Sequence, residues 1–203
     1  MARLLRPYAA LTPAQLDQVS IYLDLLLKWN ARINLTAVRN PEEIVTRHFG
    51  ESFFAAARLM ASRDPLTVID LGSGAGFPGL PLAIFATWAK VTLVEASGKK
   101  AAFLNEAISA LHLANAKVFA QRAESYPGTA DLITMRAVEK FSDTLPMALR
   151  LIRHGGRIAL MIGVGQLEQA RTLAREIAWQ ASVPVPGGHS RVLAVGTKLV
   201  RVE

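Results

Sequence analysis

The chain of 203 residues contains no cysteine. Disulfide bonds are therefore impossible, and so is any mechanism with a cysteine nucleophile, because that chemistry depends on a thiolate. The four histidines show no spacing typical of metal ligands. Without cysteine to join them, we expect no zinc site and no other bound metal.

Long hydrophobic runs are missing as well. Although 51% of the residues are hydrophobic, polar residues interrupt each apolar run before it reaches the length of a membrane span. The first residues, MARLLR, lack the long apolar segment of a secretory signal. We therefore expect a single domain over residues 1–203 that has a substantial core, contacts no membrane, lies in the cytoplasm and acts as a monomer.

Negative charge is scarce relative to positive charge. The chain has 23 Lys and Arg against 16 Asp and Glu, which gives a net charge of +7. A basic surface is compatible with a polyanionic partner such as nucleic acid. A basic protein without such a partner would have the same composition, so charge favours this hypothesis without identifying the partner.

The first third of the chain reads as helical. The run TPAQ at residues 12–15 is a capping box with proline at the first helical position, and the apolar spacing after it predicts a helix to about residue 30. The run NPEE at residues 40–43 begins a second helix that continues to about residue 60. These helices predict an N-terminal helical cap over residues 1–63.

After this cap, strands and helices alternate. Apolar strands are predicted at 66–71, 90–95, 116–120, 130–135 and 156–162, helices at about 78–87, 98–113, 141–152 and 166–178, and two final strands at about 179–186 and 190–200. Alternation with short connections is typical of a parallel, doubly wound sheet. We predict an α/β, Rossmann-like core over residues 64–203, with a seven-stranded, mostly parallel sheet that ends in an antiparallel hairpin.

A glycine-rich loop follows the first predicted strand. Residues 70–81 read DLGSGAGFPGLP, and Glu95 ends the next strand. Glycine allows positive φ and lets the backbone approach a ligand closely. An acid at the end of the neighbouring strand can accept hydrogen bonds from both ribose hydroxyls. The pattern therefore predicts a nucleoside-containing ligand at the carboxyl edge of the sheet.

The loop alone leaves the ligand open, because residues 74–79 also match the dinucleotide fingerprint. Three features favour S-adenosylmethionine over NAD. Asp70 lies two residues before the first glycine, Pro78 and Pro81 fall in the first helical turn, and no separate substrate domain follows. NAD or FAD, and a tight turn that binds nothing, remain the alternatives.

Several short blocks of the sequence match the signatures of one protein family. They are WNARINLTA at 29–37, RHFGES at 47–52, DLGSGAGFPGLP at 70–81, EASGKKAAFL at 95–104, RAE at 122–124 and RAV at 136–138. Over about residues 20 to 160 the chain thus resembles the ribosomal small-subunit methyltransferase G family, also called glucose-inhibited division protein B. It departs from the family where LMIG at 160–163 lacks a lysine before the glycine, and where Glu51 replaces an aspartate.

This resemblance implies an enzyme that transfers a methyl group from S-adenosyl-L-methionine to N7 of a guanine in 16S rRNA, near the decoding centre. Its partner would be 16S rRNA or the small ribosomal subunit particle. Guanine N7 has a free lone pair at neutral pH and needs no general base, so catalysis is expected to consist of proximity and orientation. The alternatives are a small-molecule methyltransferase, and an S-adenosylmethionine-binding module that associates with RNA without turnover.

Other methyltransferase chemistries fit the sequence less well. Enzymes that methylate exocyclic amines carry an Asn/Asp-Pro-Pro-Tyr/Phe motif after the fourth strand, where this chain reads MRAV at 135–138. Enzymes that methylate pyrimidine C5 attack the base through a cysteine, which this chain lacks.

The resemblance and the strand order together predict the site residues. The expected cofactor-binding residues are Asp70, Gly72, Gly74, Phe77, Glu95, Ser97, Ala123, Glu124 and Arg136. Gly72, Gly74 and also Gly76 would meet the methionine part, Glu95 the ribose, and Ala123 and Glu124 the adenine. No acid–base residue is predicted, and Arg136 is the candidate that orients the substrate. The candidate RNA contacts are Arg32, Arg39, Arg47, Lys99 and Lys100.

Purely structural roles remain open for several of these residues. Asp70 could cap the next helix, Phe77 could belong to the core, Glu124 could be a surface acid, Arg136 could be an ion-pair partner, Asn30 and Asn34 could end helices, and His48 could be a hydrogen-bonded structural histidine.

Overall fold

Helices occupy the first part of the chain in the computed structural model, which describes residues 1–64, 66–137, 140–188 and 190–199. They are α1 (Ala2–Leu5), α2 (Pro13–Asn30), α3 (Pro41–Ile44), a π-helical turn (Val45–Gly50) and α4 (Glu51–Leu59). The predicted capping box is confirmed, because Thr12 Oγ1 accepts from Gln15 N at 3.3 Å and Gln15 Oε1 accepts from Thr12 N at 2.9 Å. None of the helices in these ranges is long and apolar enough to cross a membrane.

The rest of the chain forms one sheet with flanking helices. Its strands are β1 (Leu66–Leu71), β2 (Ala89–Val94), β3 (Ala116–Phe119), β4 (Ala130–Arg136), β5 (Ile152–Gly163), β6 (Ile177–Trp179), β7 (Val183–Pro184) and β8 (Arg191–Lys198). The helices are α5 (Gly79–Phe85), α6 (Gly98–Ala110), α7 (Phe141–Leu151) and α8 (Leu167–Leu173). The order is β3-β2-β1-β4-β5-β8-β6, and β7 also pairs with β8. Strands β1 to β5 are parallel to one another, whereas β8 is antiparallel to its neighbours.

The predicted Rossmann-like class is confirmed, but the end of the sheet differs from the prediction. The segment predicted as one strand at about 179–186 forms two short strands, β6 and β7, so the sheet has eight strands rather than seven. Pro184 and Pro186 lack the N–H that a continuous ladder needs, which keeps the pairing of β7 short. His189 and Val200 of the predicted hairpin, and Val138 of the RAV block, lie outside the described residues.

Apolar side chains cover both faces of the sheet. One cluster joins β1, β2 and β4 to α5, α6 and the N-terminal helices through buried Tyr22, Phe49, Phe53 and Phe103. The other packs α7 and α8 against β4, β5 and β8. The N-terminal helices thus share a core with the sheet, and the division at residue 64 stays a prediction.

The register of the central strands positions the site. Leu71 at the end of β1 pairs with Val94 of β2 and with Met135 of β4. The residues that follow these strands therefore emerge together at the carboxyl edge of the sheet, which is where ligands bind in doubly wound folds.

Candidate active site

A cavity of about 780 Å³ lies at this edge. It is lined by residues 35–38, 47–48, 71–75, Phe77, 94–96, Lys100, 121–124, 136–137, Lys140, 143–144 and Met147. The residues that follow β1, β2 and β3 contribute one wall, and Arg136 at the end of β4 contributes another together with the segments that follow α2 and α3. The cavity therefore forms only when the N-terminal helices dock on the sheet.

The glycine loop supplies the cavity wall after β1. Gly72 and Gly74 have φ of +65° and +55° and line the cavity. The N–H of Gly72 donates to Val94 O at 3.0 Å, and that of Gly74 donates to Glu95 Oε2 at 2.9 Å. Both glycines are where the sequence predicted them, and positive φ explains why the loop needs glycine at these positions.

The structure does not place Gly76 against the cavity, contrary to the expectation that it meets the ligand. Its φ is +88°, and a Cβ there would lie 2.5 Å from Tyr22 Oη and 2.6 Å from Leu80 Cδ1. Tyr22 Oη in turn donates to the carbonyl of Ala75. Gly76 thus lets α2 pack closely on the loop, and its role is packing.

Replacing Gly76 with alanine is expected to destabilise the protein by roughly 2–4 kcal/mol, because the new methyl group overlaps buried atoms and the backbone is strained. Gly98, the first residue of α6, is the matched control, because a Cβ there meets no atom within 4 Å. Gly98→Ala should change stability by less than about 1 kcal/mol. Urea unfolding of both variants measures the difference, and equal stabilities would contradict this packing role.

Glu95 is held by two backbone N–H groups at the end of β2. Its side chain is buried yet lines the cavity, and its Oε2 and Oε1 accept from Gly74 N at 2.9 Å and Ser97 N at 2.8 Å. Each carboxylate oxygen can accept a further hydrogen bond. The position suits a pair of vicinal hydroxyls. Ser97 was predicted to contact the cofactor, but it does not line the cavity. Its backbone N–H instead orients the carboxylate of Glu95.

Asp70 is fully buried and is not among the residues that line the cavity. Its carboxylate accepts from Thr134 Oγ1 at 2.7 Å and from Gly79 N, the first residue of α5, at 3.2 Å. Burial raises the pKa of Asp70 to about 6, although these hydrogen bonds act in the opposite direction. The structure therefore favours the helix-capping alternative for Asp70 over direct contact with a ligand.

Phe77, Ala123 and Glu124 all line the cavity. Phe77 is also core: its ring stacks on Tyr22 with centroids 5.3 Å apart and meets Phe49 edge-on at 5.0 Å. Ala123 and Glu124 lie in a 3₁₀ turn after β3, where the carboxylate of Glu124 is exposed. Its exposure allows either a ligand contact or a solvated surface acid.

Arg136 lies at the centre of a buried polar network at the opposite wall. Its Nη2 shares two N–H groups among three neighbours, Glu51 Oε2 at 3.1 Å, the carbonyl of Arg47 at 2.9 Å and His48 Nδ1 at 3.1 Å. The other oxygen of Glu51 accepts from Arg191 Nε at 2.8 Å and Nη2 at 2.5 Å. Burial lowers the pKa of Arg136, and Glu51 counteracts this.

Arg136 is an ion-pair partner of Glu51 and also lines the cavity, and its role in orienting the substrate stays a prediction. The prediction that His48 is a hydrogen-bonded histidine is confirmed, and the structure adds that it lines the cavity too. The partnership of Glu51 with Arg191 was missed, because these residues are 140 positions apart and no local pattern joins them.

The predicted RNA contacts divide into two groups. Arg47 and Lys100 line the cavity, whereas Arg32, Arg39 and Lys99 do not. Arg39 instead holds the preceding loop, with Nη1 on Thr36 O at 2.5 Å and Nη2 on Asn34 Oδ1 at 3.2 Å.

Two further cations, Arg122 and Lys140, line the cavity and were not predicted as RNA contacts. Arg122 lies in the RAE block, and its place directly before Ala123 and Glu124 is the pattern that points to it. Lys140 precedes α7 with a φ of +51°, and no pattern in the sequence points to it. Within the described ranges, no group of three or more His, Asp or Glu side chains is arranged to hold a metal ion.

Comparison with known proteins gives consistent matches. The family described as rRNA small subunit methyltransferase G matches residues 15–190. Proteins named ribosomal RNA small subunit methyltransferase G are similar: that of Stenotrophomonas maltophilia is 40% identical over 92% of this chain and 87% of its own length. That of Xanthomonas campestris pv. campestris is 42% identical over 75% of this chain and 71% of its own length.

Solved structures support the fold alone. The ribosomal protein L11 methylase of Lactobacillus delbrueckii subsp. bulgaricus superposes with a TM-score of 0.64 at 18% identity, over 75% of this chain and 80% of its own. An S-adenosylmethionine-dependent O-methyltransferase of Thermotoga maritima gives a TM-score of 0.62 at 18% identity, over 88% of this chain and 72% of its own.

Proposed function

Because the chain belongs to the rRNA small subunit methyltransferase G family, we propose that it transfers the methyl group of S-adenosylmethionine to N7 of a guanine in 16S rRNA, in the loop near the decoding centre. The observation that carries this proposal is a single cavity with two different walls. One wall has the glycine loop and Glu95, and the other has Arg136; exposed cations also line the cavity.

The first wall fits S-adenosylmethionine. Gly72 and Gly74 leave room for the methionine part, the carboxylate of Glu95 is oriented for two ribose hydroxyls, and Ala123 and Glu124 follow β3 where an adenine would lie. The aromatic ring of Phe77 completes this wall. Bound S-adenosylmethionine supplies an electrophilic methyl group on its sulfonium sulfur.

The second wall suits a nucleophile that needs no base. His48 lines the cavity, but burial, Arg136, Arg47 and Arg191 together lower its pKa to about 3. Both ring nitrogens of His48 have partners, Arg136 Nη2 and Thr36 Oγ1. A neutral, doubly hydrogen-bonded imidazole is a poor proton acceptor, which matches attack by an unprotonated N7. The task of these residues is to orient the target guanine.

The assay that tests this function uses S-adenosylmethionine with a tritiated methyl group. The protein is incubated separately with 16S rRNA, small-subunit particles and a metabolite extract. Label in free 16S rRNA or in the small-subunit particles supports the proposal, and the sample that is labelled shows whether free rRNA or the particle is the substrate. Label confined to metabolites would indicate a small-molecule methyltransferase, and cofactor binding with no label anywhere would indicate a module without turnover.

We propose that the exposed cations at the cavity, Arg47, Arg122 and Lys140, together with Lys100, contact RNA phosphates. The more distant Arg32, Arg39 and Lys99 are proposed to extend this surface. Phosphate contacts release counterions, so binding should weaken steeply as salt concentration rises.

Replacing Lys140 with alanine is expected to make the log–log slope of RNA affinity against salt shallower by about 0.7, as for one phosphate contact with single-stranded RNA. Lys117 is the matched control, because it is also an exposed lysine, lies on the edge strand β3 and does not line the cavity. Filter binding across a salt series measures both slopes. Identical slopes for the two variants would remove Lys140 from the interface.

We also propose that the protein acts as a monomer in the cytoplasm, where its rRNA substrate is found. The large apolar side chains that are exposed among the described residues, Met1, Ile21, Val164, Leu173 and Leu199, come from different elements. Scattered apolar side chains are normal on a monomer surface. Sedimentation of the pure protein measures its oligomeric state.

A further inference from the structure

Thr36 lies on the cavity wall formed by the segment after α2. Asn30, the last residue of α2, fixes this segment: its Oδ1 accepts from Leu35 N at 2.9 Å and Thr36 N at 3.0 Å, and its Nδ2 donates to Thr36 O at 3.1 Å. These hydrogen bonds fix the backbone of Thr36. The residue is half-buried, and its side chain contacts His48 of the polar network.

The hydrogen bonds from Arg136 through His48 to Thr36 are all donated in the same direction. The Nη2 of Arg136 can only donate, and it shares its two N–H groups among His48 Nδ1, Glu51 and the carbonyl of Arg47; in the contact of 3.1 Å, His48 Nδ1 is therefore the acceptor. A neutral imidazole then carries its proton on Nε2, which lies 2.7 Å from Thr36 Oγ1. The positive charges around His48 come from Arg136, Arg47 and Arg191, and with burial they lower its pKa to about 3. The imidazole therefore stays neutral at physiological pH and donates to Thr36.

Thr36 Oγ1 also accepts from the backbone N–H of Val38 at 3.1 Å. A hydroxyl oxygen has two lone pairs, and these two hydrogen bonds use both. The hydroxyl proton of Thr36 is therefore left to donate, and the residue itself lines the cavity. The chain from Arg136 through His48 makes Thr36 a donor of fixed polarity.

We propose that Thr36 donates this hydrogen bond to O6 of the target guanine and so selects guanine at the site. The inference rests on the proposed function. Guanine presents two adjacent acceptors, O6 and N7, whereas adenine carries an amine donor in place of O6. A donor on O6 holds the base while leaving the N7 lone pair free, and the adenine amine would oppose the same donor.

Other acceptors fit Thr36 less well. Phosphates are bound best by charged, exposed groups, and Arg122 and Lys140 already supply these at the cavity. The cofactor is also a less suitable acceptor, because the wall proposed to bind it, with Gly72 and Glu95, is formed by other segments than the one that carries Thr36. A neutral donor beside Arg136 and His48 matches an uncharged base edge.

The test combines base analogues with variants of Thr36. Small-subunit particles are reconstituted with ligated 16S rRNA whose target guanine is replaced by inosine, which keeps O6, or by 2-aminopurine, which keeps N7 but lacks O6. The wild-type single-turnover rate should fall roughly 10- to 100-fold with 2-aminopurine, because the donor is left unpaired, and by less than about threefold with inosine. Equal rates for guanine and 2-aminopurine would overturn the inference without any variant.

The variants form a double-mutant cycle with the analogue. Thr36→Val should slow guanine methylation roughly 10- to 100-fold and should abolish the difference between guanine and 2-aminopurine. Thr36→Ser keeps the hydroxyl and should keep the wild-type preference. An unchanged guanine to 2-aminopurine ratio in Thr36→Val would overturn the role, and so would a defect that appears only as weaker S-adenosylmethionine binding by calorimetry.

If the wild type methylates no guanine N7, the proposed function fails together with this inference, whereas N7 methylation with an unchanged ratio removes the inference alone.

Discussion

Replacing Arg136 with alanine is expected to lower the single-turnover rate of methyl transfer roughly 100-fold or more, because a small misplacement of the reacting atoms has effects of this size. The affinity for S-adenosylmethionine should change by less than about threefold, since Arg136 belongs to the other wall of the cavity. Rapid-quench assays with saturating cofactor measure the rate, and calorimetry measures the affinity.

Arg191 provides a matched control for this variant. It pairs with the same buried carboxylate, Glu51, but does not line the cavity. Each alanine variant leaves Glu51 one arginine, so each should lose at most about 3–5 kcal/mol of stability. Arg191→Ala should nevertheless keep its methyl-transfer rate within about fivefold of the wild type if only orientation at the cavity matters. Equal rate defects in the two variants would make Arg136 a stability residue alone.

Replacing Glu95 with alanine is expected to weaken S-adenosylmethionine binding roughly 10- to 100-fold, because two hydrogen bonds to a charged group are lost. The N–H groups of Gly74 and Ser97 also lose their acceptor, which loosens the loop at the same place. Calorimetric titration measures the affinity, and thermal unfolding without cofactor shows whether the fold is intact.

Two further variants make the Glu95 result specific. Glu95→Gln retains one oxygen acceptor but replaces the other with an amide nitrogen, which cannot accept, so it should recover only part of the affinity. Glu124→Ala removes an exposed carboxylate at the same cavity and should cost less than Glu95→Ala. Unchanged affinity in Glu95→Ala would move the ribose contact elsewhere.

Local pattern was enough to predict most of the fold. The prediction for β1 agrees with the structure at both ends, 66–71, because an apolar run there is bounded by turn-forming residues. The π-helical turn at Val45–Gly50 was not predicted, since nothing in the apolar spacing separates it from an α-helix. The short strands β6 and β7 were merged, because their pairing is decided by β8 and not by their own sequences.

The candidate site was predictable in position but not in orientation. The strand ends brought Gly72, Glu95 and Arg136 to the cavity as expected. Asp70 and Ser97 share that edge but support the loop and Glu95 instead, because a motif gives the place of a residue along the chain and not the direction of its side chain. Contacts between distant segments, such as Arg136 with His48, depend on how the N-terminal helices dock. Local sequence patterns therefore do not predict them.

Transfer to N7 of a guanine is identified by locating the methylated atom in the product RNA. Small-subunit rRNA that has reacted with the protein and S-adenosylmethionine is reduced with borohydride and treated with aniline, which cleaves RNA at 7-methylguanosine. Primer extension then locates the break. We expect one new break at a guanine of 16S rRNA, absent without cofactor and strongly reduced with Arg136→Ala. Incorporated methyl groups that yield no aniline-sensitive site would contradict transfer to N7.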